Sequence, residues 1–384
     1  MFILEGFLAF ALLQIPPPPS PSTAQTVPIS QFGAKGDGKT DDTKAFAAAL
    51  ASNKRIQIES KTYLVTAPLK VQNASIEGTG TLLFTSQHPI DGIVISGNAN
   101  LSSFSIRGTG NSLAHAVTIS GTNVVLDGLK VSDVHGNAKE PTSGILLSKV
   151  NGVWITNCSF TDIGLDSQNP SFVIWNYYKS QSQHVYIDHN QMSGNTANIA
   201  IGMFDTSHST VSNNTIDGGN NCLKNCVNSG YGILFYRTYY GPRPPPEDES
   251  VPKLTNETIT NNQISNAAGN GIYLQGVADS KIIGNTLTNT TLRFNDVSLA
   301  GSAIALSYAD NIEVKNNIVQ HDAKGGICLA YTKDVVIEGN QIHNASKWDI
   351  RMRVAQTNTT VKNNSVDGSP RILQENGPTG TKTH

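Results

Sequence analysis

The sequence predicts a right-handed parallel β-helix, an all-β solenoid whose short strands wind into stacked coils. Three observations predict it. Glycine is frequent at 34 residues, charged residues make up only 15% of the chain, and one pattern of apolar residues and asparagine returns at a regular interval. Many glycines with few charges are typical of short strands joined by turns, and a fixed interval of about 20 to 50 residues is the signature of a repeat architecture.

The repeat, which is regular from about residue 120, is marked by a column of asparagines followed two residues later by an apolar residue. The column contains Asn190, Asn214, Asn262, Asn285, Asn317, Asn340 and Asn364. Spacings of 23 or 24 residues suit a coil of three short strands. The longer spacings of 48 and 32 indicate loop insertions. Upstream, Leu129 and Cys158 occupy the same column, and Cys158 is expected to be a buried apolar filler.

Asparagine suits this column for two physical reasons. It tolerates the left-handed backbone of a tight turn, and its amide can bond its neighbours in the coils above and below. Coils stacked about 4.8 Å apart place like side chains in ladders. We therefore expect a structural asparagine ladder, whereas the alternative is an antiparallel sandwich with asparagine-rich surface hairpins.

The strand after the column carries inward apolar residues, and loops of variable length border it. These inward residues are Ile145, Leu147, Ile174, Ile201, Met203, Ile233, Phe235, Ile272, Leu274, Ile304, Leu306, Ile327, Leu329, Ile350 and Met352. The loops that lead to Ile145, Ile174, Ile233 and Ile304 are long, and an insertion of residues 236–254 follows the strand at Ile233. Because insertions in a solenoid usually border its functional face, this strand is expected to carry the site.

The first 25 residues are expected to be a signal peptide and linker. An apolar stretch, residues 7–15, precedes four prolines and then Ser22-Thr23-Ala24, which predicts cleavage near Ala24 and a secreted or periplasmic protein. Glu5 is the only charge there, so a membrane-tethered form is the alternative. Residues 26–368 are expected to form one β-helix domain, followed by a polar C-terminal tail at 369–384. Cys222 and Cys226 are expected to form a small disulfide.

The charge of the chain limits its partners. A formal net charge of −2 without runs of Lys or Arg argues against a nucleic-acid partner. After signal cleavage no membrane contact is expected, because no other apolar span approaches the roughly 20 residues of a membrane helix. No cofactor is predicted, calcium is left open, and the oligomeric state is not predicted.

One stretch near the N-terminus resembles the opening motif of the pectate-lyase-like superfamily of β-helix proteins. The stretch is Ile29-Ser30-Gln31-Phe32-Gly33-Ala34-Lys35-Gly36-Asp37-Gly38-Lys39-Thr40-Asp41-Asp42-Thr43-Lys44-Ala45-Phe46, and Tyr63-Leu64-Val65 after it also fits. The resemblance implies a capping helix through about Leu50, with Thr40 or Asp41 as its N-cap, and a polysaccharide substrate. It leaves the reaction open, because members include lyases, glycoside hydrolases, epimerases and phage depolymerases. Asp37, Asp41 and Asp42 are expected to be structural.

Strand alternation predicts a groove for an acidic glycan on the outer face of the loop-bordered strand. The outward residues and those just past the strand are Trp175, Tyr177, Tyr178, Lys179, Asp205, Tyr236, Arg237, Tyr239, Tyr240, Tyr273, Gln275, Arg351 and Arg353. Sugar rings stack on aromatic side chains, and arginine binds uronate carboxylates. The alternative is that these rings pack beneath the 236–254 insertion.

Three functions compete for this chain. In a lyase, Arg237 or Lys179 would neutralise the uronate, and Tyr236 or Tyr177 would act as base and acid. In a glycoside hydrolase, Asp133 and Asp162 would stack in adjacent coils and form the acid and base pair, with Asp166 and Asp205 as alternative members. The alternative is that Asp133 and Asp162 cap turns. His135, on a long loop, is a weaker candidate. The third function is a noncatalytic glycan-binding or adhesive β-helix, and the lyase is favoured.

Overall fold

The chain folds as a right-handed parallel β-helix, as the sequence predicted. The computed structural model describes residues 15–20, 24–52, 54–137, 140–164, 171–218, 230–238, 253–291, 301–368, 370–374 and 382–383. Within these residues the helices are Thr43–Leu50, which is α-helical, and Ile29–Phe32, which is a short 3-10 helix.

A coil consists of three strands, which we name first, second and third strand in chain order. In one coil these are Thr142–Leu147, Asn151–Thr156 and Ser159–Ile163. Strands of the same kind pair in parallel with those of the next coil; Ile145, for example, pairs with Ile174. First and second strands belong to one continuous sheet, and third strands form another.

The first strands are Leu69–Val71, Ile90–Ile95, Leu113–Ile119, Thr142–Leu147, Ser171–Asn176, Ile199–Phe204, Tyr231–Tyr236, Ile272–Gln275, Trp348–Met352 and Ile372–Gln374. The second strands are Thr26–Pro28, Arg55–Ile58, Ala74–Gly78, Ala99–Ser102, Thr122–Asp127, Asn151–Thr156, Ser182–Asp188, Thr206–Ser207, Thr210–Ser212, Leu254–Thr255, Thr258–Thr260, Val277–Ile283, Gln356–Thr357, Thr360–Lys362 and Lys382–Thr383. Two long strands run through both positions: Ile304–Lys315 and Gly325–Glu338. The third strands are Asp37–Asp41, Thr62–Val65, Thr81–Phe84, Ser105–Gly108, Lys130–Val134, Ser159–Ile163, Gln191–Ser193, Thr215–Asp217, Gln263–Ser265, Thr286–Thr288, Ile318–Gln320, Gln341–His343 and Ser365–Val366.

One apolar core runs along the inside of the solenoid. The predicted inward residues of the first strands are all buried, with Ile145 and Met352, near the two ends of the predicted series, fully enclosed. They belong to a single packed cluster together with inward residues of the second and third strands. Cys158 lies in this core as predicted, and burial raises the pKa of its thiol to about 12. The predicted disulfide between Cys222 and Cys226 lies outside the described residues.

The asparagine ladder is confirmed, and its hydrogen bonds show why asparagine is needed. Asn214 Nδ2 donates to Oδ1 of Asn262 and to the carbonyl of Ile187, both at 2.9 Å, while Asn214 Oδ1 accepts from the backbone N and Nδ2 of Asn190. Asn214 and Asn262 are 48 residues apart yet lie in successive coils, so the long spacing does mark an insertion. The left-handed backbone belongs to the preceding residue, such as Asn213 with φ 54°. Tolerance of that backbone was therefore the wrong reason for the column; the amide ladder is the right one.

The solenoid extends further in both directions than the asparagine column. Upstream, Phe104 occupies the column after Ser103, which has a left-handed φ of 67°, and Leu101 pairs with Leu126 of the next coil. Apolar side chains replace the amides there, which hid these coils from the asparagine pattern. Downstream, Ile372 pairs with Ile350, so strand pairing continues past residue 368.

The capping helix begins two residues later than Asp41. It spans Thr43–Leu50, and Asp42 is its N-cap residue without a capping side-chain bond. Asp41 accepts hydrogen bonds from the Thr43 backbone N at 3.0 Å and from its hydroxyl at 2.5 Å. The predicted cap at Thr40 or Asp41 was therefore wrong, because Asp42 turns inward and accepts from the backbone N atoms of Lys35 and Gly36 instead. None of the described helices is long and apolar enough to cross a membrane.

Candidate functional site

The outer face of the first strands is shaped by a bend near the start of each strand. Two consecutive residues, Val173 and Ile174, both face the core, so Phe172 before them and Trp175 after them both face outward. The first of the two inward positions is small in several coils, because it points at the core: a Cβ on Gly144 would lie 3.2 Å from an aromatic core ring. The bend thus creates an additional outward column, which simple alternation does not predict.

An aromatic cluster, defined by Phe172, Trp175, Tyr178, Phe204 and Tyr236, covers this face over three successive coils. Phe172 stacks on Trp175 with ring centroids 4.6 Å apart, and Tyr178 lies 4.4 Å from Phe204. Phe204 in turn lies 5.8 Å from Tyr236. Trp175 faces outward, as predicted, yet it is only 2% exposed. It therefore forms the floor of the face and is not itself a surface for stacking a sugar.

Asp205 and Arg237 lie in adjacent coils where the first strands end. The buried Asp205 carboxylate accepts hydrogen bonds from the backbone N atoms of Lys179 and Thr238, both at 2.9 Å, and from Arg237 Nη1 at 3.2 Å. Bonds of this charge-assisted kind are strong, so Asp205 joins the turns of three coils. The structure thus gives Asp205 a positioning role, and it anchors Arg237 by one terminal nitrogen.

The exposed edge, defined by Tyr177, Lys179 and Arg237, borders the aromatic cluster. The Tyr177 side chain is 47% exposed, and its ring lies 5.3 Å from Trp175. Lys179 is exposed, and Arg237 is partly exposed. Tyr178 is half-buried beside this edge, and burial raises the pKa of its phenol. An aromatic ring and two cations therefore lie along one margin of the face, within three successive coils.

Four other predicted residues lie further along the same face. Tyr273 Oη donates to Oε1 of the fully buried Gln275 at 2.7 Å, which makes both structural. Arg351 stacks over the Trp348 ring at 4.6 Å and is largely buried. Arg351 and Arg353 lie three coils beyond Tyr273 and Gln275, respectively, in the strand register, or about 14 Å at the usual coil spacing. The two arginines are therefore not part of the exposed edge.

The predicted carboxylate pair lies elsewhere, on the third strands. The strand register places Asp133 and Asp162 side by side in adjacent coils, as expected from the sequence. Each carboxylate has its own basic partner: Arg107 Nε lies 2.8 Å from Asp133, and His135 Nε2 lies 3.0 Å from Asp162. Three predicted residues lie outside the described part of the chain: Tyr239, Tyr240 and Asp166.

Sequence reasoning missed a polar pair at the other end of the cluster. His115 Nδ1 lies 2.8 Å from the hydroxyl oxygen of buried Ser143, and the His115 ring is 6.2 Å from Trp175. Burial lowers the pKa of His115, although Asp91 and Glu140 oppose the effect. Strict alternation along the first strand predicts that His115 and Ser143 face the core. The sequence signal for the bend was the small residue that precedes the inward isoleucine, such as Gly144 before Ile145. In the described residues, no group of three or more His, Cys, Asp or Glu side chains is placed to hold a metal ion.

The fold and face together define a right-handed parallel β-helix protein, and comparison with protein families agrees. Residues 248–374 match the family model described as right handed beta helix region. No curated protein matches the sequence.

Solved structures of low sequence identity share the fold. The catalytic domain of a GH87 α-1,3-glucanase in complex with nigerose aligns with a TM-score of 0.60 at 14% identity, covering 96% of this chain and 70% of that chain. The surface adhesin PfbA of Streptococcus pneumoniae aligns with a TM-score of 0.53 at 13% identity, covering 94% and 91%. Bacteriophage CBA120 tailspike protein 3 aligns with a TM-score of 0.60 at 14% identity, covering 94% and 61%. Similarity at this level establishes the fold alone.

Proposed function

We propose that this protein is exported, binds an acidic polysaccharide on the outer face of its first strands and cleaves it by β-elimination. The observation that carries the proposal is the exposed edge, where Tyr177, Lys179 and Arg237 lie within three successive coils along the margin of the aromatic cluster. Sugar rings stack on exposed aromatic rings, and guanidinium and ammonium groups bind carboxylates. The buried cluster beneath them gives the edge a rigid support.

β-Elimination on a uronan needs a cation, a base and an acid. Arg237, held by Asp205 through one terminal nitrogen, would bind the sugar carboxylate and make the neighbouring C5 proton more acidic. Tyr177 or Tyr236 would remove that proton, the bond from C4 to the leaving oxygen would break, and a C4–C5 double bond would form. The phenol of Tyr178 is half-buried beside this edge and protonated at neutral pH, so it would donate a proton to the leaving oxygen, although the burial that raises its pKa makes it a weaker acid.

Hydrolysis is the less supported reaction at this face. A hydrolase needs a carboxylic acid and a second carboxylate near the same glycosidic bond. Asp205, the carboxylate at the edge, has both oxygens occupied by donors. Asp133 and Asp162 lie on the third strands, each beside a basic group.

Noncatalytic glycan binding is the second candidate, and one specific observation favours it. The charge of Arg237 is already paired with Asp205, which suits a fixed contact better than a change of charge during a reaction. The fold is shared both with a glucanase solved with a sugar ligand and with a surface adhesin, so it accommodates either function.

The test is to incubate the purified full chain with a panel of uronans and neutral glycans. Ultraviolet absorbance from a new double bond supports the lyase. New reducing ends without that absorbance would indicate a hydrolase, and binding without cleavage would indicate an adhesive or binding protein. If none of the glycans binds, the proposed function is wrong.

Variants of the exposed edge locate the activity. Tyr177→Ala and Lys179→Ala remove exposed side chains, and each is expected to weaken glycan affinity about tenfold, as the loss of one stacking or charged contact would. Arg237→Ala is expected to abolish turnover, with Arg237→Lys retaining part of it. Lys130→Ala, an exposed lysine on a third strand, is the matched control. Retained turnover in folded Arg237→Ala protein would move the site to Asp133 and Asp162.

A further inference from the structure

A second aromatic surface lies on the outer face of the second strands, away from the exposed edge. It is formed by Val125, Trp154 and Tyr186, which occupy one outward column in three successive coils. The Trp154 and Tyr186 rings stack with centroids 5.2 Å apart and planes inclined by 28°. We call these three residues the Trp154 platform.

The platform is covered by the segment that precedes the solenoid. Residues 15–20 are Ile15 followed by four prolines and a serine. Ile15 packs against the platform, and the indole Nε1 of Trp154 donates a hydrogen bond to the carbonyl of Pro16 at 2.9 Å. The platform residues are at most 8% exposed beneath this cover.

The length of the segment matches the stack of coils. Prolines 18 and 19 and Ser20 line one surface cavity together with Asn100 and Ser75, which lie further down the outward column. Ser75, Asn100, Val125 and Trp154 lie in four consecutive coils, a span of about 14 Å at the usual coil spacing. Four residues in polyproline II conformation rise about 12 Å. The segment is therefore about as long as the stretch of the column that it crosses, with about three residues for every two coils.

We propose that the Trp154 platform is a binding site for a proline-rich segment in polyproline II conformation, which the chain fills with its own residues 15–20. Aromatic surfaces with a donor directed at a proline carbonyl bind this conformation, because the segment is already extended and loses little entropy on docking. Proline has no backbone N–H, so its carbonyls are the groups it offers. The site is independent of the proposed glycan function, since it lies on a different strand stack.

Cleavage near Ala24, expected from the sequence, would remove this cover. The site would then be open to a proline-rich segment from another molecule. In the uncleaved chain, the tethered segment competes at an effective concentration in the millimolar range, which weakens binding of an added peptide.

The experiment uses the full chain and a fluorescent peptide, Ile-Pro-Pro-Pro-Pro-Ser. The double variant Ile15→Asp, Pro17→Gly weakens the internal segment, because it removes an apolar contact and loosens the extended backbone. Fluorescence anisotropy is expected to show peptide binding to the double variant at least about tenfold tighter than to the unmodified chain. Adding Trp154→Ala to the double variant should abolish binding. Val336→Ala, in the same outward column several coils away, should leave it unchanged.

A second measurement does not depend on the peptide. Trp175 and Trp348 are buried elsewhere, so quenching of tryptophan fluorescence by acrylamide in the double variant reports on Trp154. Quenching is expected to rise relative to the unmodified chain, with the unfolding temperature nearly unchanged. Equal quenching in both proteins, equal peptide binding in both, or binding that survives Trp154→Ala would overturn the proposal. A peptide with glycine in place of all four prolines is the control ligand.

Discussion

Glu257 carries a fully buried carboxyl group and directly precedes the second strand Thr258–Thr260. Its Oε2 accepts a hydrogen bond from the Ser209 backbone N at 3.1 Å, and Oε1 has no partner among the described residues. Its own backbone N donates to the Ser280 hydroxyl at 2.9 Å in the next coil. Burial raises the pKa of Glu257 well above its usual 4.5, since a charge here has lost its water.

This raised pKa predicts how stability depends on pH. The folded chain holds a proton that the unfolded chain releases near pH 4.5, so stability falls as the pH rises from 4.5 towards the folded pKa. Each pH unit in that window costs about 1.4 kcal/mol. Glu257→Gln removes the ionisation and should raise the unfolding temperature at neutral pH, with little effect at pH 4. Thermal unfolding monitored by circular dichroism at both pH values measures it.

The control for this prediction is Glu313→Gln, a more exposed glutamate on an outer face. It should change the pH profile little, since exposed carboxylates are solvated in both states. An unchanged profile for Glu257→Gln would show that Glu257 is ionised at no cost when folded.

At the level of the coil, the asparagine ladder predicts a gradient of stability effects along the solenoid. Asn262→Ala removes bonds to Asn214 above, Asn285 below and the Val211 carbonyl, and leaves buried groups without partners. The expected cost is about 3 to 5 kcal/mol, from several unsatisfied groups. Asn364 is the partly buried end of the ladder, so Asn364→Ala should lower the free energy of unfolding clearly less than Asn262→Ala does. Thermal unfolding of both variants measures the difference, and equal losses would contradict the ladder as a source of stability.

The strands and the asparagine ladder could be predicted because the same pattern of apolar residues and asparagine recurs in many coils. Ile145 and its equivalents alternate in every coil, and the same asparagine returns at one interval. A β-helix was expected from residue 26, but its repeat was not located upstream of about residue 120, because apolar residues such as Phe104 replace the amide there. The two consecutive inward residues Val173 and Ile174 were missed because alternation predicts that neighbouring residues of a strand face opposite sides, and a bend breaks this rule.

The sequence predicted where the candidate site lies, but it predicted the roles of individual residues less well. Alternation predicted that Trp175 faces outward, which is correct. Trp175 is nevertheless buried, because the bend turns Phe172 outward as well and the two rings stack. Asp205 was a catalytic candidate, but the left-handed turn aims its carboxylate at backbone N–H groups of neighbouring coils. Such contacts join residues about 30 positions apart and follow from coil geometry, which local sequence does not reveal.

At the level of the whole molecule, a solenoid has one core open at both ends, and each end needs a cover. At the N-terminal end, the helix Thr43–Leu50 supplies it: Phe46 and Ala49 are fully buried, and Phe46 packs edge-on against Tyr63 with ring centroids 5.6 Å apart. Asp37 accepts hydrogen bonds from Lys39 and Thr40, which lowers the pKa of its carboxyl to about 2 and supports its predicted structural role.

Phe46→Ala should therefore destabilise the end of the solenoid and promote association. Loss of a buried phenylalanine costs about 3 to 5 kcal/mol, and an uncovered end exposes strand edges that can pair with another chain. We expect a lower unfolding temperature and a shift to larger species in size-exclusion chromatography with light scattering. Lys44→Ala, on the exposed side of the same helix, should change neither. If the Phe46→Ala protein unfolds at a lower temperature but stays monodisperse, the helix stabilises the core and is not needed to prevent association. The strand edges beneath the helix would then resist pairing with another chain without it.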